Sequence, residues 1–225
     1  MKIAPSILAG DLGNLRGAVE TAMKGGADLI HVDVLDGHFA PNISFGAGTV
    51  RALRAGSTAP FDVHLMIERP GYAVRDYLDA GADRVIFQAE TIDEASFDAL
   101  FAVVRSYDRQ LGLALKPETD LPGWAEAKLG QMSTVLVLTV NPGFSGQRMD
   151  VKQFPKIERI AKIIADRHLE TDLEIDGGID ERNINEVARR GGDTFVAGAG
   201  VYAQQDPVRA MANLRENATK ARGSA

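Results

Sequence analysis

Four ionisable residues stand inside otherwise apolar, strand-like runs, and their types belong together. His31 and Asp33 lie in Ile30-His31-Val32-Asp33-Val34 and His64 in Asp62-Val63-His64-Leu65-Met66. Asp176 closes Leu173-Glu174-Ile175-Asp176, just before Gly177-Gly178. Side chains two apart on a strand share a face, so His31 and Asp33 point the same way. Two imidazoles and two carboxylates at strand ends are a donor set for a borderline divalent metal. Taken singly, each His could be a hydrogen-bonded core residue and each Asp a turn former. Together they resist that reading, because the chain has only four His and two of them fall in such strands.

Bringing these residues together requires a scaffold that gathers strand ends. Eight strands are expected: Ile3–Ser6, Leu29–Val34, Phe61–Met66, Arg84–Gln88, Leu111–Leu115, Thr134–Thr139, Leu173–Asp176 and Thr194–Ala197. Helical patterns separate them, at Asn14–Lys24, Pro70–Ala80, Phe97–Ser106, Val151–Arg167, Glu181–Arg190 and Pro207–Thr219. Alternating strands and helices imply parallel strands joined by right-handed crossovers. Eight such units in 225 residues point to a single closed (β/α)8 barrel of the α/β class, spanning 1–225. The glycines of Gly25-Gly26, Ala80-Gly81 and Arg190-Gly191-Gly192 each fall between a helix and the next strand, where left-handed dihedrals end helices. An open doubly wound sheet is the competing architecture, but Ala9-Gly10-Asp11-Leu12-Gly13 after the first strand is no dinucleotide fingerprint. The polar end, Lys220 to Ala225, is expected to fray.

Composition narrows the function classes. Hydrophobic residues make up 45% of the chain and charged residues 25%, ordinary for a globular protein. The net charge of −6 offers no basic footprint for nucleic acid or an anionic membrane. The absence of Cys excludes disulfides and thiolate chemistry. No run approaches the roughly 18 apolar residues of a membrane span. A cytoplasmic enzyme is expected, with no nucleic-acid or membrane partner.

Functional residues in such a barrel sit at the C-terminal ends of the strands. Ser6, His31, Asp33, His64 and Asp176 can therefore meet at one mouth. Structural metal sites usually use thiolates, so a site that also admits an oxygen-rich ligand is the more useful reading. On the other side of the mouth stand three glycine-bearing loops, Asn141-Pro142-Gly143-Phe144-Ser145-Gly146-Gln147, Gly177-Gly178 and Gly198-Ala199-Gly200. Loops after strands seven and eight commonly offer backbone N–H groups to a phosphate, and glycine lets the backbone come close.

The chain resembles the ribulose-phosphate 3-epimerase family over nearly its full length. The resemblance rests on Ala4-Pro5-Ser6-Ile7-Leu8, the run from His31 to Asn42 (HVDVLDGHFAPN), Asp62-Val63-His64-Leu65-Met66-Ile67, residues Asn141 to Gln147, and Asp176-Gly177-Gly178. It implies a ribulose-phosphate-binding barrel and a homo-oligomer. It also implies one divalent ion, Zn²⁺ or Fe²⁺ in the first place and Mn²⁺ or Co²⁺ as alternatives, held by His31, Asp33, His64 and Asp176. Asp33 and Asp176 become the acid/base pair. Substrate falls to Ser6, His64, Met66, Gly143, Phe144, Ser145, Gly146, Gly177, Gly178, Gly198 and Ala199. The expected reaction is epimerisation at C3 of a 2-ketose phosphate, D-ribulose 5-phosphate to D-xylulose 5-phosphate. A divalent ion would stabilise the enediolate, and each face of that planar species needs its own acid/base group.

Some residues depart from the family pattern. Gln88 stands where His is common, Leu35 and Leu138 replace methionines, Ala199 replaces a Ser and Ser145 a Gly. None is a proposed ligand, but they leave the identity of the sugar phosphate open, and Gln88 is expected to reach the mouth. His38 reads as a loop residue and His168 as solvated or facing a helix dipole. A sugar-phosphate decarboxylase on the same scaffold would carry an Asp-x-Lys-x-x-Asp motif on its third strand, and that strand has no Lys here. A non-catalytic sugar-phosphate sensor would explain the changes at 88 and 199, but it leaves the ligand quartet without a task.

Overall fold

The computed structural model describes residues 1–223. The strands are β1 (Lys2–Pro5), β2 (Ile30–Leu35), β3 (Phe61–Met66), β4 (Arg84–Gln88), β5 (Gln110–Leu115), β6 (Thr134–Leu138), β7 (Asp172–Asp176) and β8 (Thr194–Ala197). The helices are α1 (Leu15–Lys24), α2 (Ala47–Arg54), α3 (Pro70–Asp79), α4 (Glu94–Ser106), α5 (Gly123–Ala127), α6 (Phe154–Asp166), α7 (Ile184–Arg189), α8 (Ala199–Tyr202) and α9 (Pro207–Arg222). All strand pairs are parallel, in the order β1-β8-β7-β6-β5-β4-β3-β2. An isolated parallel bridge from Ser6 to His31 brings β1 against β2 and all but closes the barrel.

Alternation along each strand sorts its side chains. On β2, Ile30, Val32 and Val34 join the continuous apolar layer between strands and helices, as do Phe61, Val63 and Leu65 on β3. Each such fully buried side chain contributes on the order of 1.5–3 kcal/mol. The alternate positions fill the barrel. Ile86, Ala114, Leu136 and Leu138 form a separate apolar cluster there, and the ionisable residues of β2, β3, β4 and β7 stand among the other inward positions.

Local chemistry sets the helix ends. Asn14, Asp93 and Asp206 accept hydrogen bonds from the backbone N–H groups of Gly17, Ser96 and Arg209, capping α1, α4 and α9. Gly26, Gly81 and Gly191, flagged in the sequence between helix and strand, all take positive φ.

Three differences from the sequence reading stand out. Helices α2, α5 and α8 were not foreseen; they have 8, 5 and 4 residues, too short for apolar periodicity to declare itself. Strand limits shift by a residue, so that β1 ends at Pro5 and Ser6 pairs with His31 beyond it. The C-terminal segment is not frayed through Arg222: α9 continues because Ala221 is buried and Arg222 pairs with Asp193. Ser224 and Ala225 lie outside the described residues. No helix among the described residues is long and apolar enough to cross a membrane.

Candidate active site

Parity on β2 and β3 turns His31, Asp33, His64 and Met66 into the barrel, and register sets Asp33 beside His64. Asp176 joins them from β7. One donor atom from each of His31, Asp33, His64 and Asp176 lies within 4.8 Å of the others. Asp33 Oδ1 is 3.3 Å from His31 Nε2 and 3.6 Å from His64 Nδ1. The two rings meet edge to face, with centroids 5.6 Å apart. His31 Nε2 and His64 Nδ1 are both buried without a hydrogen-bond partner. Buried polar atoms are rarely left so, and two orphaned imidazole nitrogens beside two carboxylates fit a divalent cation between them.

The ionisation of the group is uneven. Burial works against Asp33 as an anion, but His31 and His64 outweigh it and hold its carboxyl well below the usual range. Ser6 supports that carboxylate, its Oγ donating to Asp33 Oδ2 at 2.5 Å. Asp176 goes the other way: burial, and then the charge of Asp33, push its carboxyl up to about 8. Burial lowers the His64 pKa, which favours the neutral ring a metal requires. His31 is carried above its ordinary value, because the surrounding Asp33, Asp62 and Glu174 outweigh burial.

Beneath the quartet lies a buried ionic layer that was not anticipated from the sequence. His31 Nδ1 is 2.8 Å from Asp62 Oδ2, Arg84 Nε donates to Asp62 Oδ1 at 2.6 Å, and Arg84 Nη2 donates to Glu174 Oε2. Thr134 Oγ1 also donates to Glu174 Oε2, at 3.2 Å. Asp62 accepts only, so His31 carries its proton on Nδ1 and turns Nε2 toward the quartet. His31, Asp62 and Glu174 also come within ligating distance of one another, but the Arg84 guanidinium already bridges both carboxylates. Strand parity puts Asp62, Arg84 and Glu174 on the inward face, but it does not say that they meet.

Above the quartet opens a cavity of about 550 Å³. Its lining includes Ser6, Asp33, Met66, Gly143, Phe144, Ser145, Gly146, Asp176, Gly177, Gly178, Gly198 and Ala199. Of the residues expected to touch substrate, His64 alone is missing. It is fully buried below the cavity wall. Leu138 lines the cavity; Leu35 packs on Ala40 and Met66 beside it. Gln88 does not reach the mouth, being fully buried against His64. His38 is exposed and bonded within its own loop to Asp36, and His168 lies just past α6 at positive φ; neither joins the cluster.

The glycine-bearing loops form one wall of this cavity. At Gly178 (φ +64°) a Cβ would stand 2.4 Å from Met149 N and 2.8 Å from Gln147 O. Only glycine allows the loop after β7 to lie against the loop after β6.

Comparison with known proteins agrees with this architecture. The family model for the ribulose-phosphate 3-epimerase family matches residues 2–202. Ribulose-phosphate 3-epimerase of Mycobacterium tuberculosis (strain ATCC 25618 / H37Rv) is 41% identical over 216 residues, covering 96% of this chain and 92% of that protein. The enzyme of that name from Bacillus subtilis (strain 168) is 37% identical over 217 residues, covering 96% and 98%. The one from Escherichia coli (strain K12) is 33% identical over 219 residues, covering 97% and 96%. Among solved structures, 3-hexulose-6-phosphate synthase from Salmonella typhimurium superposes with a TM-score of 0.73 at 16% identity, covering 98% of this chain and 100% of that one. A likeness at that identity speaks for the barrel alone. At 33–41% identity across nearly the whole chain, with a family match over residues 2–202, the chain belongs to the ribulose-phosphate 3-epimerase family of isomerases.

Proposed function

We propose that the protein inverts C3 of a 2-ketose phosphate, interconverting D-ribulose 5-phosphate and D-xylulose 5-phosphate. The observation that carries this reading is the pair Asp33 and Asp176. They stand on separate strands at one cavity floor, with one carboxyl pushed down and the other pushed up to about 8. Carboxyls whose environments drive them apart are suited to opposite roles at neutral pH.

His31 Nε2, His64 Nδ1 and one oxygen from each of Asp33 and Asp176 would hold a divalent ion. When bound, it supplies the positive charge that makes a proton beside a ketone removable. Asp33, ionised and steadied by Ser6, takes the C3 proton from one face. Asp176, protonated, returns a proton to the other face, and the reverse reaction exchanges the roles. Met66, Leu138 and Val140 in the wall keep water from the reacting carbon. Backbone N–H groups of the loops at Gly146, Gly177–Gly178 and Gly198–Ala199 receive the phosphate. Binding energy from that remote group orients C3 between the two carboxyls.

The test is turnover in heavy water. Product from the wild-type protein gains deuterium at C3, and Asp33→Asn and Asp176→Asn each lose about 10²-fold or more in rate. Near-normal turnover by either variant with its metal content unchanged would remove that residue from the mechanism. Free D-ribulose should turn over far more slowly than its phosphate, and equal rates would refute the phosphate assignment.

A further inference from the structure

Gln88 takes no part in the steps above, yet it is fully buried at the inward end of β4. Its Nε2 lies 2.8 Å from His64 Nε2, while its Oε1 has no partner. On the same ring, His64 Nδ1 faces Asp33 at 3.6 Å and also has no hydrogen bond. The two ring nitrogens thus look at two different neighbours, and a neutral imidazole has one proton to share between them.

A cation at the quartet needs the lone pair of Nδ1, which sends the ring proton to Nε2. An Nε2–H cannot face an amide NH2, because both are donors. It can face an amide oxygen. The two ends of the Gln88 amide differ little in size, so a half-turn about its last bond puts Oε1 opposite Nε2 without disturbing the packing. The orientation in this structure, with NH2 facing the ring, serves the opposite tautomer.

We propose that Gln88 is the positioning residue for His64. In the loaded site its Oε1 accepts from Nε2–H, fixing the tautomer that offers Nδ1 to the ion. This rests on the metal reading of the quartet given above. The two histidines are then held in different ways. His31 is fixed by Asp62, which only accepts and permits one tautomer. His64 is held by an amide, which can meet either tautomer by turning over.

The experiment uses Zn²⁺ as probe. Zn²⁺ affinity is measured by competition with a chromophoric chelator in the wild-type protein, His64→Ala, Gln88→Met and Gln88→Glu. Melting curves confirm that each is folded. Gln88→Met keeps the length of the side chain but supplies no strong acceptor, and should bind Zn²⁺ about 10–100-fold more weakly, the usual cost of losing a partner behind a metal-bound His. Gln88→Glu, an acceptor, should bind at least as tightly as wild type. A residue that only filled space would lower melting temperature in both variants and leave Zn²⁺ affinity alone. Long-range ¹H–¹⁵N spectra of the ¹⁵N-histidine wild-type protein loaded with Zn²⁺ should place the His64 proton on Nε2, so the proposal stays testable if Gln88→Met fails to fold. Affinity of Gln88→Met within twofold of wild type, or the proton on Nδ1 in the loaded protein, overturns it. If wild type and His64→Ala bind Zn²⁺ equally weakly, the metal reading falls and takes this proposal with it.

Discussion

Replacing Arg84 with Met is the sharpest test of how the floor of the site is held. The guanidinium is nearly inaccessible and joins Asp62, at 2.6 Å, to Glu174, and both carboxylates are fully buried. Removing the cation leaves two buried acids with only the His31 ring, 2.8 Å from Asp62 and 3.6 Å from Glu174, to answer them, a loss of about 3–5 kcal/mol. In a protein of this size roughly 2–4 °C of melting temperature follows each kcal/mol, so a drop of about 6–20 °C is expected at neutral pH. The loss should depend on pH in a defined direction. Burial, opposed by Arg84 and assisted by Asp62, already raises the Glu174 carboxyl above its ordinary 4.5, and without Arg84 it rises further. A group that binds its proton more tightly when folded contributes stability at low pH and loses it as pH climbs through the folded value. The Arg84→Met variant should therefore recover toward wild type near pH 5 and be weakest near pH 8. Adding Glu174→Gln should restore part of the stability at pH 8 by removing one orphaned charge. Chemical denaturation of the four proteins of the cycle, at both pH values, gives the coupling directly. A loss under about 1 kcal/mol at pH 8, or the same loss at both pH values, would show that the ionic layer does not hold the site as described.

Three further outcomes follow from the geometry. Gly178→Ala should cut kcat/KM for the phosphorylated substrate by about tenfold or more, because its Cβ would meet the Gln147–Met149 backbone and displace the loop; Gly146→Ala, whose Cβ meets nothing within 4 Å despite φ +80°, should cost about 1 kcal/mol of stability and little activity. Zn²⁺ affinity should climb with pH through neutrality, because His31, carried above its ordinary value by the carboxylates around it, must give up the Nε2 proton that a bound cation displaces; a flat profile between about pH 6 and 8 would count against His31 as ligand. Substrate preference among four-, five- and six-carbon ketose phosphates should respond to Leu138→Met and Ala199→Ser, which change the cavity wall, and not to Leu35→Met, which lies outside it; one extra hydroxyl at 199 is worth about 0.5–1.5 kcal/mol, hence about tenfold or less.

The barrel and the quartet were legible because both depend on parity and order. Counting strands and helices yields the barrel, and two-residue spacing puts His31 with Asp33 on one face whatever the twist of the sheet. The ionic layer was hidden for the opposite reason. Arg84 opens β4 and reads as a strand-end charge, while Glu174 sits far along the chain on β7. Only closure of the sheet carries one guanidinium to both Asp62 on the neighbouring strand and Glu174 on the other side of the barrel. Gln88 shows the limit most clearly. Its parity on β4 correctly turns it inward, and its place at the strand end argued for the mouth. Depth, however, is set by the stagger between strands, which no single strand encodes. The stagger lifts Asp33 and Asp176 to the cavity floor and leaves His31, His64 and Gln88 below it. That burial strips water from the imidazoles, so every ring nitrogen must find its partner inside the barrel: Asp62 stands against His31 Nδ1 and Gln88 against His64 Nε2, while the other two nitrogens turn toward Asp33.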